Sequence, residues 1–187
     1  MLGGVAYIFA AVTEPGLVVD TGGPGRIVFG EWDGSSSARV VDLLEWFRKA
    51  QVDAQLSREI RSALWYKFAF ICAQAGMTAV TRLPIGRIRS QPESWAMFRR
   101  LLEEVCAVAD EVRVRLPTDT VERHLKFAEG LEPHGYSSLY QDLTSGRRLE
   151  LEALHGTVVR LGHKHGVEVP ASEVVYAILK AWDGHLI

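Results

Sequence analysis

The spacing of apolar residues changes character once along this chain. Near the N-terminus they come in short runs rich in Val, Ile, Tyr and Phe, bounded by turn residues: "GVAYIFAAV", "LVVDT" and "RIVFGE". Such runs predict β-strands. Between the first two, "TEPG" sets Pro15 and Gly16 at the centre of a type II turn, where proline presets φ and glycine accepts a positive one. A hairpin is expected there. The serines of "WDGSSS" end the third strand and offer a cap to a helix carrying Val40, Leu43, Leu44 and Phe47 at helical spacing. "VDAQLS" reads as one more short strand or extended link.

From about Arg58 the period is helical throughout. A long apolar helix is expected to end near "RLPIG", with Pro84 and Gly86 as its stop. A second long helix carries Phe98, Leu101, Leu102, Val105, Ala109 and Val112 on one stripe and ends before Pro117. Thr118 or Asp119 can cap a shorter helix reaching Phe127. The segment "YSSLYQDLTSGRRLELEALHGTVVRLGHKHG" predicts a helix broken near Gly146 and another stopped by Gly166, and Ser172 to Trp182 predicts a last one. The pattern therefore gives a small β-rich piece over residues 1–57 and an all-helical domain over 58–187. Three or four strands and one helix are too little sheet to cover both faces and both edges, so the β piece reads as the end of something larger.

Composition narrows the function classes. The 187 residues are 48% hydrophobic and 24% charged, with a net charge of −2. That balance argues against a dedicated nucleic-acid binder, which needs a basic surface. Arg99 and Arg100 precede Glu103 and Glu104 at helical spacing, a pattern expected of a solvated face with ion pairs. Cys72 and Cys106 sit in apolar helical patterns with no C-x-x-C spacing, as buried free thiols in a reducing compartment do. The opening "MLGGVAYIFAAV" has no basic residue before its apolar run, and the first arginine is Arg26, so a cytoplasmic protein with neither signal peptide nor membrane role is expected.

The candidate chemistry is sparse. The densest glycine stretch, "TGGPGRIVFG", lies between two strands and opens no helix, so it lacks the helix N-terminus that binds phosphate. His163 and His165, two residues apart, do not share a helical face as a metal pair would. One residue stands out. In "ALWYKFAFICAQAGMTAV", Ala63 to Val80, the single charge is Lys67, flanked by Trp65, Tyr66, Phe68 and Phe70. A lysine on such a helix commonly snorkels to water. A desolvated ammonium near a carboxylate is instead a good proton donor and carbonyl polariser.

Several motifs in order and spacing, "LWYKF", "TAVTRLPIG", "SSLYQDLTSGRRLELEALHG" and "GVEVP", resemble the C-terminal domain of ketopantoate reductase (2-dehydropantoate 2-reductase). The front end, "LGGVAYIFAAVTEPGLVV" through "GRIVFGE", resembles the last strands of that family's nucleotide-binding domain. The resemblance implies a mainly α fold: an all-helical domain like the C-terminal domain of 6-phosphogluconate dehydrogenase, preceded by a β-rich remnant of a Rossmann domain. It implies an oxidoreductase that uses NADPH to reduce a branched 2-oxo acid towards pantothenate. Residue by residue, it places the family's catalytic lysine on Lys67, its glutamate on Glu150 and the serine that receives the substrate carboxylate on Ser138. Asp142, one helical turn after Ser138, is expected to be a structural partner.

Two departures qualify that expectation. Where the family often carries asparagines after the lysine, this chain has Ile71 and Ala75, and His155 replaces the asparagine usually preceding Gly156. An apolar side chain cannot replace a lost amide hydrogen bond, so a more apolar 2-oxo acid than ketopantoate is expected to suit the pocket. The family's opening strand and G-x-G-x-x-G turn do not occur in these residues, which suggests a truncated frame or fragment. No NADPH binding is expected of this chain alone, and a separate NADP-binding half is an expected partner beside the small acid. The alternative is a non-catalytic helical module that dimerises or binds a small acid. A homodimer is plausible because an uncovered sheet edge invites pairing.

Overall fold

The computed structural model describes residues 1–20 and 22–182. The chain divides into two compact units, Met1–Lys67 and Phe68–Ile187. The division lies within a helix, whereas the apolar pattern sets it at residue 57.

In the first unit, β1 (Gly3–Tyr7), β4 (Arg26–Gly30) and β5 (Asp53–Leu56) form a three-stranded sheet in the order β1-β4-β5. β1 runs antiparallel to β4, with Val5 opposite Val28, and β4 runs parallel to β5, with Val28 opposite Gln55. Parallel neighbours need a crossover, and α1 (Ala38–Lys49) supplies it. Phe29 meets Phe47 of α1 edge-on, and Val40 is fully buried. Ser37 stands at the N-cap of α1, but its hydroxyl makes no capping bond. It donates to Glu31 at the end of β4, whose carboxylate also accepts from Arg39. These two donors, Arg39 first, hold the Glu31 carboxyl down to about 2.

A separate ribbon of β2 (Ala10–Glu14) and β3 (Leu17–Asp20) rises between β1 and β4. Its turn is the expected one, with Gly16 at φ 85°. The run "GVAYIFAAV" is thus two strands, broken at Ile8 and Phe9, because its halves have different partners: β1 pairs with β4 and β2 with β3. Val12, Leu17, Val18 and Val19 of the ribbon are all exposed.

The second unit is helical. Its residues come from the later turns of α2 (Ile60–Thr81), then α3 (Ile85–Arg89), α4 (Pro92–Glu111), α5 (Thr120–Glu129), α6 (Ser138–Thr144), α7 (His155–His165) and α8 (Pro170–Lys180). α4 is the centre: Phe98, Leu101, Leu102, Val105, Val108 and Ala109 are buried on one stripe, and α3, α5, α7 and α8 pack around it. α2 ends at Arg82, held in the left-handed region at φ 55°, with the Thr81 hydroxyl accepting from the Leu83 N–H. The expected stop at Gly86 is instead inside α3. That short helix is held by tertiary bonds, the N–H groups of Ile85 and Gly86 donating to the carbonyls of Gly135 and Pro133.

Glu104 departs from the solvated face expected of it. It is 2% exposed, and its carboxylate accepts the backbone N–H groups of Ala171 and Ser172 and the Ser172 hydroxyl, all at 2.7–2.8 Å. Arg100, one turn earlier, lies 3.5 Å away. A carboxylate at a helix N-terminus satisfies donors that have no partner inside the helix and meets the positive end of its dipole. Among the described residues, no helix is long and apolar enough to cross a membrane. Because removing one partner leaves buried donors unsatisfied, Glu104→Ala is expected to cost about 3 kcal/mol in urea unfolding. Glu104→Gln, which keeps one acceptor oxygen, should cost less; equal stability of Glu104→Ala and the parent would remove this role.

Candidate functional site

Lys67 lies in the first unit, on the second turn of α2. It is half-buried, and its Nζ donates to the Ala6 carbonyl of β1 at 2.5 Å. The ammonium also sits 5.7 Å from the centre of the Tyr7 ring, within reach of a cation–π attraction. β1 therefore presents a carbonyl and then an aromatic face to one cation. Burial pushes the Lys67 pKa below the ordinary lysine value, while the phenol of Tyr7 is pushed up, by burial first and then by Tyr66. An ammonium has three donors, and the Ala6 carbonyl takes one. A lysine so placed can give a hydrogen bond, and then a proton, to an oxygen that becomes negative.

Ser138 and Glu150 lie in the second unit. Ser138 is the first residue of α6 and is exposed. Its neighbour Ser137 is the true N-cap: its hydroxyl accepts the Tyr140 N–H at 3.1 Å and bonds the Thr78 hydroxyl of α2 at 2.6 Å. Tyr136 and Tyr140 stack 4.1 Å apart beside it. Asp142 binds Arg147 twice, through its carboxylate at 2.7 Å and its carbonyl at 2.8 Å, and closes the end of α6 where Gly146 takes φ 64°. That is the structural work expected of it.

Glu150 is exposed on the irregular segment between α6 and α7. With Arg148, Leu149, Glu152 and Ala153 it lines a half-open pocket of about 240 Å³. Leu149 and Leu151 are buried on either side of it, so the backbone is anchored while the carboxylate faces out. Glu152 is bound more tightly. Its carboxylate accepts from Lys180 at 2.8 Å, Tyr176 at 2.7 Å and Arg160 at 2.7 Å, and these donors, Lys180 first, hold it down to about 2. The cluster fastens this segment to α7 and α8.

His155 begins α7 fully buried, and neither ring nitrogen has a hydrogen-bond partner of good geometry. It occupies the space beside Gly76 of α2, where a Cβ would come within 2.6 Å of Nε2. Burial lowers its pKa to about 4, an effect tempered by the Cys72 backbone. Of the residues replacing the expected asparagines, Ala75 is also buried and Ile71 half-buried. Sequence reasoning passed over Ser137 and Thr78. A serine preceding an amphipathic turn is a capping signal, but its doubling in "SSLYQ" does not tell which serine caps.

In the glycine-rich segment Gly22, Gly23 and Gly25 all have positive φ and, as turn glycines do, lead into a strand, β4. Among the described residues, no group of three or more His, Cys, Asp or Glu could hold a metal ion.

The family described as "Ketopantoate reductase PanE/ApbA C terminal" matches residues 59–183. The chain is 29% identical to the uncharacterized oxidoreductase YkpB of Bacillus subtilis, over 98% of this chain and 60% of the relative. It is 31% identical to the 2-dehydropantoate 2-reductase of Mesorhizobium japonicum, over 96% of this chain and 54% of that enzyme. Among solved structures it is similar to a PanE/ApbA family ketopantoate reductase from Ralstonia eutropha, with a TM-score of 0.87 and 32% identity, covering 97% of this chain and 58% of that one. The chain thus spans little more than half the length of these relatives.

The buried imidazole sets an acid limit on stability. Its pKa is about 4 folded against an ordinary 6.5, so the unfolded chain binds the extra proton between those values. Its contribution is complete above pH 6.5 and is lost as pH falls towards 4, amounting to roughly 3 kcal/mol at most. Urea unfolding at pH 7.5 and 4.5 is expected to show this loss in the parent and a smaller one in His155→Asn; identical losses would acquit His155.

Proposed function

Because the chain belongs to the ketopantoate reductase PanE/ApbA family, we propose that it is the substrate-side part of an oxidoreductase that reduces a 2-oxo acid. The observation that carries this reading is Lys67: a half-buried ammonium of lowered pKa, held by a backbone carbonyl and an aromatic face, with donors to spare. Reduction of a carbonyl leaves charge on its oxygen, and Lys67 is assigned to stabilise that charge and deliver the proton. Ser138 is assigned to receive the substrate carboxylate. Glu150 is assigned to hold the substrate and keep the lysine charged. The reducing equivalent comes from a nicotinamide cofactor, NADPH in the family, bound by residues other than the glycine-rich segment of this chain.

Substrate choice follows from the exchanged positions. Ile71 and Ala75 offer neither the donors nor the acceptors of an amide, and His155, neutral at pH 7, is fully buried. A site built from them loses the hydrogen bonds that single out a hydroxylated acid. The reading therefore favours an apolar, branched 2-oxo acid over 2-dehydropantoate.

The test joins this chain to the nucleotide-binding part of the Ralstonia eutropha reductase and follows NADPH oxidation with 3-methyl-2-oxobutanoate and with 2-dehydropantoate. Turnover is expected, with the higher kcat/KM for the apolar acid, and Lys67→Ala should lower kcat by roughly 10²–10⁴-fold. A Lys67→Ala enzyme within tenfold of the parent would exclude the assignment. No turnover with either acid would leave a helical module that binds without catalysing.

A further inference from the structure

Ser137 and Ser138 are adjacent yet differently placed. Ser138 is exposed, and its hydroxyl has no hydrogen-bond partner among the described residues, whereas Ser137 is buried and fully engaged. The protons in this engagement can be assigned. The Thr78 hydroxyl donates its one proton to the Gln74 carbonyl, one turn back in α2, at 2.8 Å. It can therefore only accept from Ser137, at 2.6 Å. Ser137 gives its own proton there and accepts the Tyr140 N–H at 3.1 Å. The bonds run one way, from the Tyr140 amide through Ser137 and Thr78 to the Gln74 carbonyl. Thr78 is fully buried, and its bond to Ser137 is shielded from water.

We propose that Thr78 and Ser137 are positioning residues for Ser138, fixing the first turn of α6 to α2 so that the Ser138 hydroxyl is held ready for a carboxylate. The relay starts at the amide two residues after Ser138 and passes through the residue before it, so it clamps the backbone on both sides. Burying Ser137 as the cap leaves Ser138 to face solvent. This rests on the reading of Ser138 as the carboxylate-receiving serine.

The experiment uses the whole ¹⁵N-labelled chain and four variants: Thr78→Val, Thr78→Ser, Ser137→Ala and Ser138→Ala. Amide exchange at Tyr140 and the order parameter of Ser138 report the clamp without any ligand. Titration with 3-methyl-2-oxobutanoate, followed at the Ser138 amide, reports its use. Thr78→Val keeps the shape and removes the acceptor. It is expected to speed Tyr140 exchange by about tenfold relative to the amides of α4 and to weaken the oxo acid by a similar factor. Thr78→Ser should restore both, and Ser137→Ala should repeat the Thr78→Val result if that variant folds poorly. Unchanged exchange and order in Thr78→Val and Ser137→Ala overturn the clamp. A broken clamp with undiminished affinity, while Ser138→Ala weakens binding, overturns the positioning role alone. If the parent and Ser138→Ala respond alike to the acid, the reading of Ser138 itself falls and the positioning role falls with it, and the exchange data still show whether the clamp exists.

Discussion

A helix that is apolar on every side must be covered on every side, and the later turns of α2 impose that demand on the second unit. Phe70 is met edge-on by Phe98 of α4 and by Phe127 of α5, with His124 beside it. Two turns on, Gly76 has no side chain, and the ring of His155 from α7 and Val175 from α8 take up the space. Four helices are thus committed to one segment of a fifth. A Cβ at position 76 would need the imidazole to move, and the imidazole is itself enclosed, so the small residue and the large one specify each other. Covering α2 in this way fixes where α6 and α7 begin, and with them the segment that carries Ser138 and Glu150.

Polar groups caught inside such a core must be answered one by one. Glu104 is answered by the first N–H groups of α8. Thr78 and Ser137 answer each other and two backbone groups. Arg89 donates to the carbonyls of Ala128 and Leu131 at the end of α5, closing that helix from outside. Glu104 and Arg89 finish the hydrogen bonding of another helix's end directly, and Thr78 of α2 does so through Ser137, the cap of α6. The ends, which an isolated helix leaves to water, therefore become the joints of the bundle. His155 stands apart: burial keeps it neutral, so it behaves as a large aromatic filler rather than a charge.

Periodicity made the fold class legible. The turn at Pro15 and Gly16, most of the α4 stripe and the stop at Gly166 are local signals, and they appear as read. What escaped was set by tertiary partners. "GVAYIFAAV" is continuous in composition, but its two halves pair with different strands. α3 contains Gly86 and is only five residues long; loop carbonyls from Pro133 and Gly135 hold it. Glu104 shares its i, i+4 spacing from an arginine with Glu103, and nothing local says that one stays half-exposed while the other is sealed under α8. Charge spacing along a helix records its neighbours on that helix, and burial depends on neighbours elsewhere.

Lys67 was legible for a different reason, because it breaks the local rule, whereas Ser138 and Glu150 came only from the resemblance to the family. Lys67 is the one charge in an apolar stretch, and within its own unit a carbonyl and an aromatic face hold it. Burial pushes the pKa of this ammonium below the ordinary lysine value and so brings it nearer to giving up its proton. Ser138 and Glu150 are exposed polar residues on a backbone anchored by buried ones, Leu139 and Leu143 for the first, Leu149 and Leu151 for the second. Ser138 and Glu150 share one design, in which apolar packing fixes the backbone and leaves the polar group facing out. A polar group already satisfied by its own protein, as Glu152 is by Lys180, Tyr176 and Arg160, has little left to offer a substrate. Glu150, two residues away and lining the same pocket, is exposed, with its carboxylate open to solvent.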